Sequence, residues 1–101
     1  MQMVLIVFRS SLEDDVLGVL DHEDVRAFTV LPQTLGVGEA GRALHSFPWP
    51  GSNVMILAAL DDQRATRLVK RLVAFRDRSA ARQRARSIPL RVFVLPCRQA
   101  L

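Results

Sequence analysis

Two apolar runs place the tightest limit on what this chain can fold into. Met3–Phe8 and Asn53–Leu60 are each the length of one strand, and almost every position in them is apolar. Successive side chains of a strand point to opposite faces, so a sheet built from these runs is apolar on both faces. A sheet with one face in water would alternate apolar and polar residues instead. We therefore expect this sheet to be covered on both sides.

A helical pattern follows each of these runs. The first begins with Ser11 as the expected N-cap and ends near Asp21–His22. The second begins at Asp61 or Asp62, and its apolar stripe consists of Ala65, Leu68, Val69, Leu72 and Val73. Beyond Phe75 the sequence leaves both a continued helix and a frayed end open.

Two more strands complete the pattern. Val25–Leu31 is expected to end at Pro32, and Ile88–Leu95 at Pro96. The order β-α-β-loop-β-α-β predicts an α+β fold, a ferredoxin-like βαββαβ sandwich with a four-stranded antiparallel sheet and two helices on one face. Because no segment remains to cover the second face, we expect other copies of the chain to cover it.

Length and composition set the class of protein. A chain of 101 residues suits one domain, expected to span residues 1–101. Cys97 is the single cysteine, which excludes an internal disulfide and favours a cytoplasmic location. The apolar runs are too short for a membrane span, so none is expected.

Charge is divided unevenly along the chain. Residues 1–62 contain three basic and nine acidic side chains, whereas residues 63–101 contain eleven basic and one acidic. If the second helix continues, Arg78, Arg82 and Arg86 share one of its faces. This basic surface suits an anionic partner such as nucleic acid, a phosphorylated ligand or an acidic protein. A merely solvated helix face is the simpler alternative.

The connection Pro32–Ser52 is long and unusual in composition, which is typical of a functional loop. Its glycines are expected to let backbone N–H groups approach an anion, although flexible turns explain them equally well. Arg42 can act as an anion clamp, and Trp49 can stack on a ligand or pin the loop to a neighbouring subunit. The expected ligand-binding residues are Gly36, Gly38, Gly41, Arg42, His45, Trp49 and Gly51.

Catalysis and metal binding receive little support from the sequence. His45 is a weak metal candidate, because the other potential ligands show no metal-site spacing. We therefore predict no metal site, and the sequence specifies no cofactor. There is no nucleophile elbow, carboxylate pair or Cys–His arrangement, so an enzyme is not expected.

Four features occur together in this sequence. Met3–Phe8 precedes an acidic helix, Phe28-Thr29-Val30 precedes the spaced glycines, His45 is near Trp49-Pro50-Gly51, and Arg91–Leu95 forms the terminal strand. In this combination, which spans nearly the whole chain, the sequence resembles the PII-like family. That family belongs to the same broad superfamily as the CutA-like proteins.

The resemblance implies a homotrimer whose sheets face inward, with ligands held in clefts between subunits. It also implies that residues 32–52 correspond to the T-loop, through which such proteins act on a partner protein. Residues 76–87 lack glycine, whereas the family carries a glycine-rich phosphate loop there, so ATP binding in the usual manner is not expected. The chain has no tyrosine, which excludes nucleotidylation of a T-loop tyrosine.

The predicted function is therefore that of a PII-like signal-transduction regulator that senses a small anionic ligand. Two alternatives stay open at this point. One is a nucleic-acid-binding module that uses the basic second helix, although strand 53–60 lacks the aromatic residues of RNA-recognition modules. The other is a CutA-like protein that binds a divalent metal.

Overall fold

A computed structural model describes residues 1–34, 37–38, 41–42, 52–84 and 88–101, and side chains throughout these ranges except in 37–38 and 41–42. A 3-10 turn, Ser10–Leu12, connects the first strand to the first helix. The remaining elements are β1 Gln2–Arg9, α1 Glu13–His22, β2 Thr29–Thr34, β3 Val37–Gly38, β4 Gly41–Arg42, β5 Asn53–Leu60, α2 Asp62–Arg82 and β6 Leu90–Pro96.

The four longer strands form one sheet in the order β2-β5-β1-β6. All neighbouring strands are antiparallel, and Leu5 at the centre of β1 lies opposite Leu57 on one side and Phe93 on the other. This arrangement confirms the predicted ferredoxin-like βαββαβ sandwich. The short strands β3 and β4 form a separate two-stranded ribbon within the connection between β2 and β5.

Both helices pack on one face of the sheet, which we call the closed face. Alternate residues of β1 and β5 point to it, and Val4, Ile6 and Ile56 there are fully buried. Leu68 and Leu72 of α2 meet them and are also almost completely buried. Each such side chain contributes about 1.5–3 kcal/mol by leaving water, so this face is the core of the fold.

The opposite face of the sheet, the open face, has no helix on it in the part of the chain that the structure describes. It carries the other set of alternating side chains, and most of these are half-buried or exposed. Leu31, Phe93 and Leu95 are exposed by 41%, 53% and 51%. The open face consists of Leu31, Met3, Leu5, Val7, Met55, Leu57, Ala59, Phe93 and Leu95, with Arg91 at one end.

The start of α2 agrees with the sequence. Asp61 is the N-cap, and its Oδ1 accepts a hydrogen bond of 2.8 Å from the backbone N–H of Arg64. The buried stripe runs from Ala65 to Ser79, and the helix continues to Arg82. The prediction that Val73 belongs to this stripe is wrong, because its side chain is 40% exposed. Of the two alternatives left open beyond Phe75, the continued helix is therefore the observed one as far as Arg82. Residues 85–87 lie outside the described part of the chain.

The predicted N-cap of α1 is wrong. Ser11 lies inside the 3-10 turn, and the helix begins at Glu13 after Leu12, which makes no side-chain capping bond. Glu13, Asp14 and Asp15 fill the first turn, where carboxylates interact favourably with the positive end of the helix dipole. These charges offer the first turn the stabilisation that the missing cap does not.

The predicted bounds of the second strand are also wrong. The strand begins at Thr29, four residues after Val25, and Val25 belongs to the turn that follows α1. The Val25 N–H donates to the Leu20 carbonyl at 2.9 Å, and the Asp24 N–H donates to the Asp21 carbonyl at 3.0 Å. Asp24 has a φ of 59°, so the three residues after α1 form a Schellman motif. Val25 is buried beneath it rather than paired in the sheet.

Pro32 does not end β2, contrary to the prediction. The strand continues through Pro32 to Thr34, with an irregular register between Leu31 and Thr34 and a φ of 56° at Gln33. Proline is tolerated here because β2 is an edge strand, whose outer N–H groups need no partner in the ladder. The last strand likewise begins later than predicted, at Leu90, and includes Pro96.

A pair of contacts fastens α2 to the turn after α1. The Arg71 Nε donates to a Glu23 carboxylate oxygen at 3.0 Å, and the Glu23 side chain is only 13% exposed. Arg64 donates to the backbone carbonyl of Asp24. These contacts hold the two helices together at the surface of the closed face.

Candidate functional site

The ends of all four longer strands meet on one side of the sheet, which we call the loop end. Arg9 at the end of β1 lies opposite Asn53 at the start of β5, and Asn53 lies opposite Thr34 at the end of β2. Leu90 at the start of β6 lies opposite Phe8. The long connection after β2 therefore leaves and re-enters the sheet at this end.

Hydrogen bonds connect the chain segments that meet at the loop end. The Thr34 hydroxyl donates to the Asn53 carbonyl at 2.9 Å, which ties together the two strands that flank the long connection. The Ser10 N–H donates to the Ser52 carbonyl at 2.9 Å, and the Arg9 N–H donates to the Pro89 carbonyl at 3.1 Å. The base of the loop is thus joined both to the β1–α1 junction and to the segment before β6.

Two arginines lie at the loop end of the open face. Arg91 is opposite Val7, and Arg9 is two residues farther along β1 on the same face. Diagonal neighbours of this kind have their Cβ atoms about 7–8 Å apart, which is within reach of long side chains. Two guanidinium groups in this arrangement can hold a phosphate or carboxylate from two sides.

Sequence reasoning missed both of these arginines as site residues. From the sequence, Arg91 is identified only as part of the terminal strand, and Arg9 is not singled out. Their proximity depends on the pairing of β1 with β6, which joins residues more than eighty positions apart. The alternation of side chains within Leu90–Pro96 would have assigned Arg91 to the face of Phe93 and Leu95.

The predicted ligand-binding residues of the long connection fall into two groups. Gly36, His45, Trp49 and Gly51 lie outside the described residues. Gly38, Gly41 and Arg42 belong to the ribbon, in which Gly38 pairs with Gly41 and Val37 with Arg42.

The ribbon gives these glycines a different local structure from the one the sequence suggested. A backbone nest needs helical conformations at successive residues, whereas Gly38 and Gly41 are extended and paired with each other. Arg42 therefore lies on a paired strand of the ribbon. A ligand-binding role for any of these residues stays a prediction.

Of the predicted basic surface, Arg78 and Arg82 are described, and both are exposed on α2. They are four positions apart, so they share one face of the helix as predicted. Arg86 lies outside the described part of the chain. The face on which Arg78 and Arg82 lie points away from the sheet, so it is distinct from the arginine pair of the loop end.

The described residues contain neither a candidate metal site nor a helix that could span a membrane. Among the described residues, no group of three or more His, Cys, Asp or Glu side chains is placed to hold a metal ion. His45 is not part of that set, so metal binding there stays a prediction. None of the described helices is both long and apolar enough to span a membrane.

The chain is similar to solved PII-like structures along most of its length. The nitrogen regulatory PII-like protein CPII from Thiomonas intermedia K12, bound to ADP, AMP and bicarbonate, has a TM-score of 0.63 and 17% sequence identity, covering 93% of this chain and 84% of that one. A PII-like signalling protein from Thermus thermophilus has a TM-score of 0.62 and 21% identity, covering 93% and 83%. At these identities the likeness establishes the fold.

The ligand-free form of CPII has the same fold, with a TM-score of 0.58 and 15% identity, covering 93% of this chain and 87% of that one. No curated protein has a sequence that matches this chain. The family model of the nitrogen regulatory protein P-II, however, matches residues 1–101. The chain therefore belongs to the nitrogen regulatory protein P-II family, as its sequence suggested.

Proposed function

We propose that this chain is a cytoplasmic, non-enzymatic PII-like regulator that works as a homotrimer. In this proposal a small anionic ligand binds at the loop end, where subunits meet. The ligand biases the connection of residues 32–52, which then binds or releases a partner protein. The observation that carries the proposal is the apolar open face of the sheet.

That face argues for assembly on physical grounds. Leu5 and Leu57 form its centre, and the large side chains of Phe93 and Leu95 stand about half exposed beside them. Contiguous apolar patches of this kind are rare on monomers, because leaving them in water forgoes about 25 cal/mol for each Å² that could be buried. Copies of the same sheet are the occupant that the family supports.

The loop end is the natural place for the ligand. Arg9 and Arg91 are at the rim of the open face, so assembly through that face brings them near a neighbouring subunit. CPII, a relative with the same fold, was solved with ADP, AMP and bicarbonate bound. These anions are the first ligands to test. On this proposal, Gly36, Gly38, Gly41, Arg42, His45, Trp49 and Gly51 of the long connection complete the contacts.

Native mass and ligand binding together test the proposal. Light scattering on a sizing column should give three times the mass of one chain. Calorimetric titration with ADP, AMP and bicarbonate should detect at least one ligand. Arg91→Gln should weaken that ligand about 10- to 100-fold, because one charged hydrogen bond contributes about 1.5–3 kcal/mol. Arg98→Gln removes the same charge from the exposed C-terminal segment and should leave affinity unchanged.

The loop residues need their own variant. Replacing Arg42 and His45 together by alanine should weaken ligand or partner binding while leaving the mass of a trimer. Unchanged binding would remove both residues from the proposed site. A monomeric wild-type chain would contradict the proposed architecture altogether, and the open face would then be left for a different partner.

A further inference from the structure

The outer surface of α2 carries an uncompensated row of positive charge. Arg67, Lys70, Arg78 and Arg82 are all exposed. At about 100° per residue they fall within roughly one third of the helix circumference, and at about 1.5 Å per residue the row is about 22 Å long. We call these four residues the basic stripe.

The carboxylates nearest the stripe are already paired with other cations. Glu23 binds Arg71, Asp77 binds Arg76, and Asp62 binds the N-terminal ammonium. In the described part of the chain, by contrast, no stripe residue forms a side-chain hydrogen bond or an ion pair. The four cations therefore act together as an open positive field.

The surroundings of the stripe indicate what kind of anion fits. Ala74 and Ala81 are the side chains within its arc that carry only a methyl group. Among the described residues of α2, the one large apolar side chain that is exposed, Val73, faces the groove beside β6. Protein partners usually bury aromatic or large aliphatic anchors at the centre of an interface, and membrane-binding helices insert such residues. The stripe offers neither.

We propose that the basic stripe binds the phosphate backbone of duplex nucleic acid without reading its sequence. Binding of this kind depends on charge neutralisation alone and needs no apolar anchor. The guanidinium group of arginine can donate two parallel hydrogen bonds to phosphate oxygens, and three of the four stripe residues are arginine. Because α2 packs beside α1 instead of protruding, it contacts the backbone and does not enter a groove. This activity is separate from the ligand site at the loop end.

Salt dependence gives the inference a quantitative form. Each phosphate contact adds about 0.9 to the slope of log affinity against log salt, so four contacts predict a slope near −3.6. Affinity for a 20-base-pair DNA duplex, measured by fluorescence anisotropy, should then fall about 100-fold between 50 and 200 mM salt. Two duplexes of unrelated sequence should bind equally.

A matched pair of variants tests the stripe itself. Arg78→Gln with Arg82→Gln should bring the slope to about −1.8, because two contacts are lost. Glutamine has nearly the helix propensity of arginine, so α2 should remain folded. Arg26→Gln with Arg98→Gln removes the same charge outside the stripe, and should keep the wild-type slope.

Three results would overturn the inference. They are absent DNA binding at 50 mM salt, equal losses in both variant pairs, and a preference for phosphatidylserine vesicles or polyglutamate over DNA. Each of these would leave the proposed regulator intact, because nucleotide or bicarbonate binding is measured separately. Conversely, stripe variants that bind the small ligand normally but lose DNA would separate the two activities.

Discussion

The two faces of the sheet are formed by the same strands, but their side chains differ in burial. Ile56 on the closed face is fully buried, whereas the next residue, Leu57, on the open face remains half-buried. Both are apolar residues of similar volume at the middle of β5. The difference is that α1 and α2 cover one side and no described element covers the other.

This difference teaches that apolar content in a strand has two separate uses. On the closed face it determines whether the chain folds. On the open face it determines what the folded chain associates with. Substitutions on adjacent residues of a single strand should therefore change different measurements, and this expectation can be tested directly.

The largest expected effect is on assembly. Leu57→Glu places a carboxylate at the centre of the open face, opposite Leu5, where a subunit contact would leave the charge buried without a partner. The native mass should fall from that of a trimer to that of one chain, while the far-ultraviolet circular dichroism spectrum is kept. Thr66→Glu adds the same charge on the exposed surface of α2 and should leave the mass unchanged.

The next effect is on the core. Ile56→Ala removes buried methyl and methylene groups and leaves a cavity, so the free energy of unfolding should fall by about 2–5 kcal/mol. Urea denaturation at a fixed protein concentration measures the change. Leu57→Ala is the matched control. Both substitutions are compared in a Leu5→Glu background, which should be monomeric because it places a carboxylate opposite Leu57 on the open face, and there Leu57→Ala should cost less than Ile56→Ala. Equal costs at the two positions would erase the distinction between the faces.

A smaller effect is expected at the N-terminus of α2, the helix that packs on the closed face. Asp61→Ala removes the side chain that accepts the Arg64 N–H bond, which should lower the free energy of unfolding by about 1 kcal/mol. The mass of the assembly should not change, since the substitution acts on the cap of a helix that packs on the closed face. Asp61→Asn keeps a capping oxygen and should restore most of the stability; an asparagine variant as unstable as alanine would argue against the cap.

The smallest effect concerns the clamp between the helices. Glu23→Gln weakens the ion pair with Arg71, whose side chain is 41% exposed, so the expected loss is at most about 1 kcal/mol. Thermal unfolding at low and high salt measures it. The gap between wild type and variant should narrow in high salt, because screening weakens the wild-type pair. A gap that salt leaves unchanged would indicate packing rather than charge.

The sequence predicted elements well where local chemistry decides them. The strand Asn53–Leu60, the Asp61 cap and the apolar stripe of α2 apart from Val73 are all determined by neighbours within a few residues. The start of β2 could not be predicted in this way. Valine is a residue type that favours strands, but Val25 instead belongs to the Schellman motif after α1, where its N–H donates to the Leu20 carbonyl and its side chain is buried.

The candidate site was less accessible to sequence reasoning for a physical reason. Arg9 and Arg91 become diagonal neighbours only through the register of β1 against β6, in which Val7 lies opposite Arg91. No local pattern encodes that register. The two-sided apolar strands, by contrast, indicated an unfilled face before any register was known, because alternation within a strand is a local property.

The central position of β1 also has a consequence for how this chain folds. Its two neighbours in the sheet are β5 and β6, so Gln2 pairs with Leu60 and with Pro96. Because β1 leaves the ribosome before β6, it has both partners only after residues near position 96 have been made. Sheets dominated by such distant pairings fold slowly, on a scale of about milliseconds to seconds. During that interval the edge of β1 that pairs with β6 is unpaired, and an unpaired strand edge in a nascent chain is prone to aggregation.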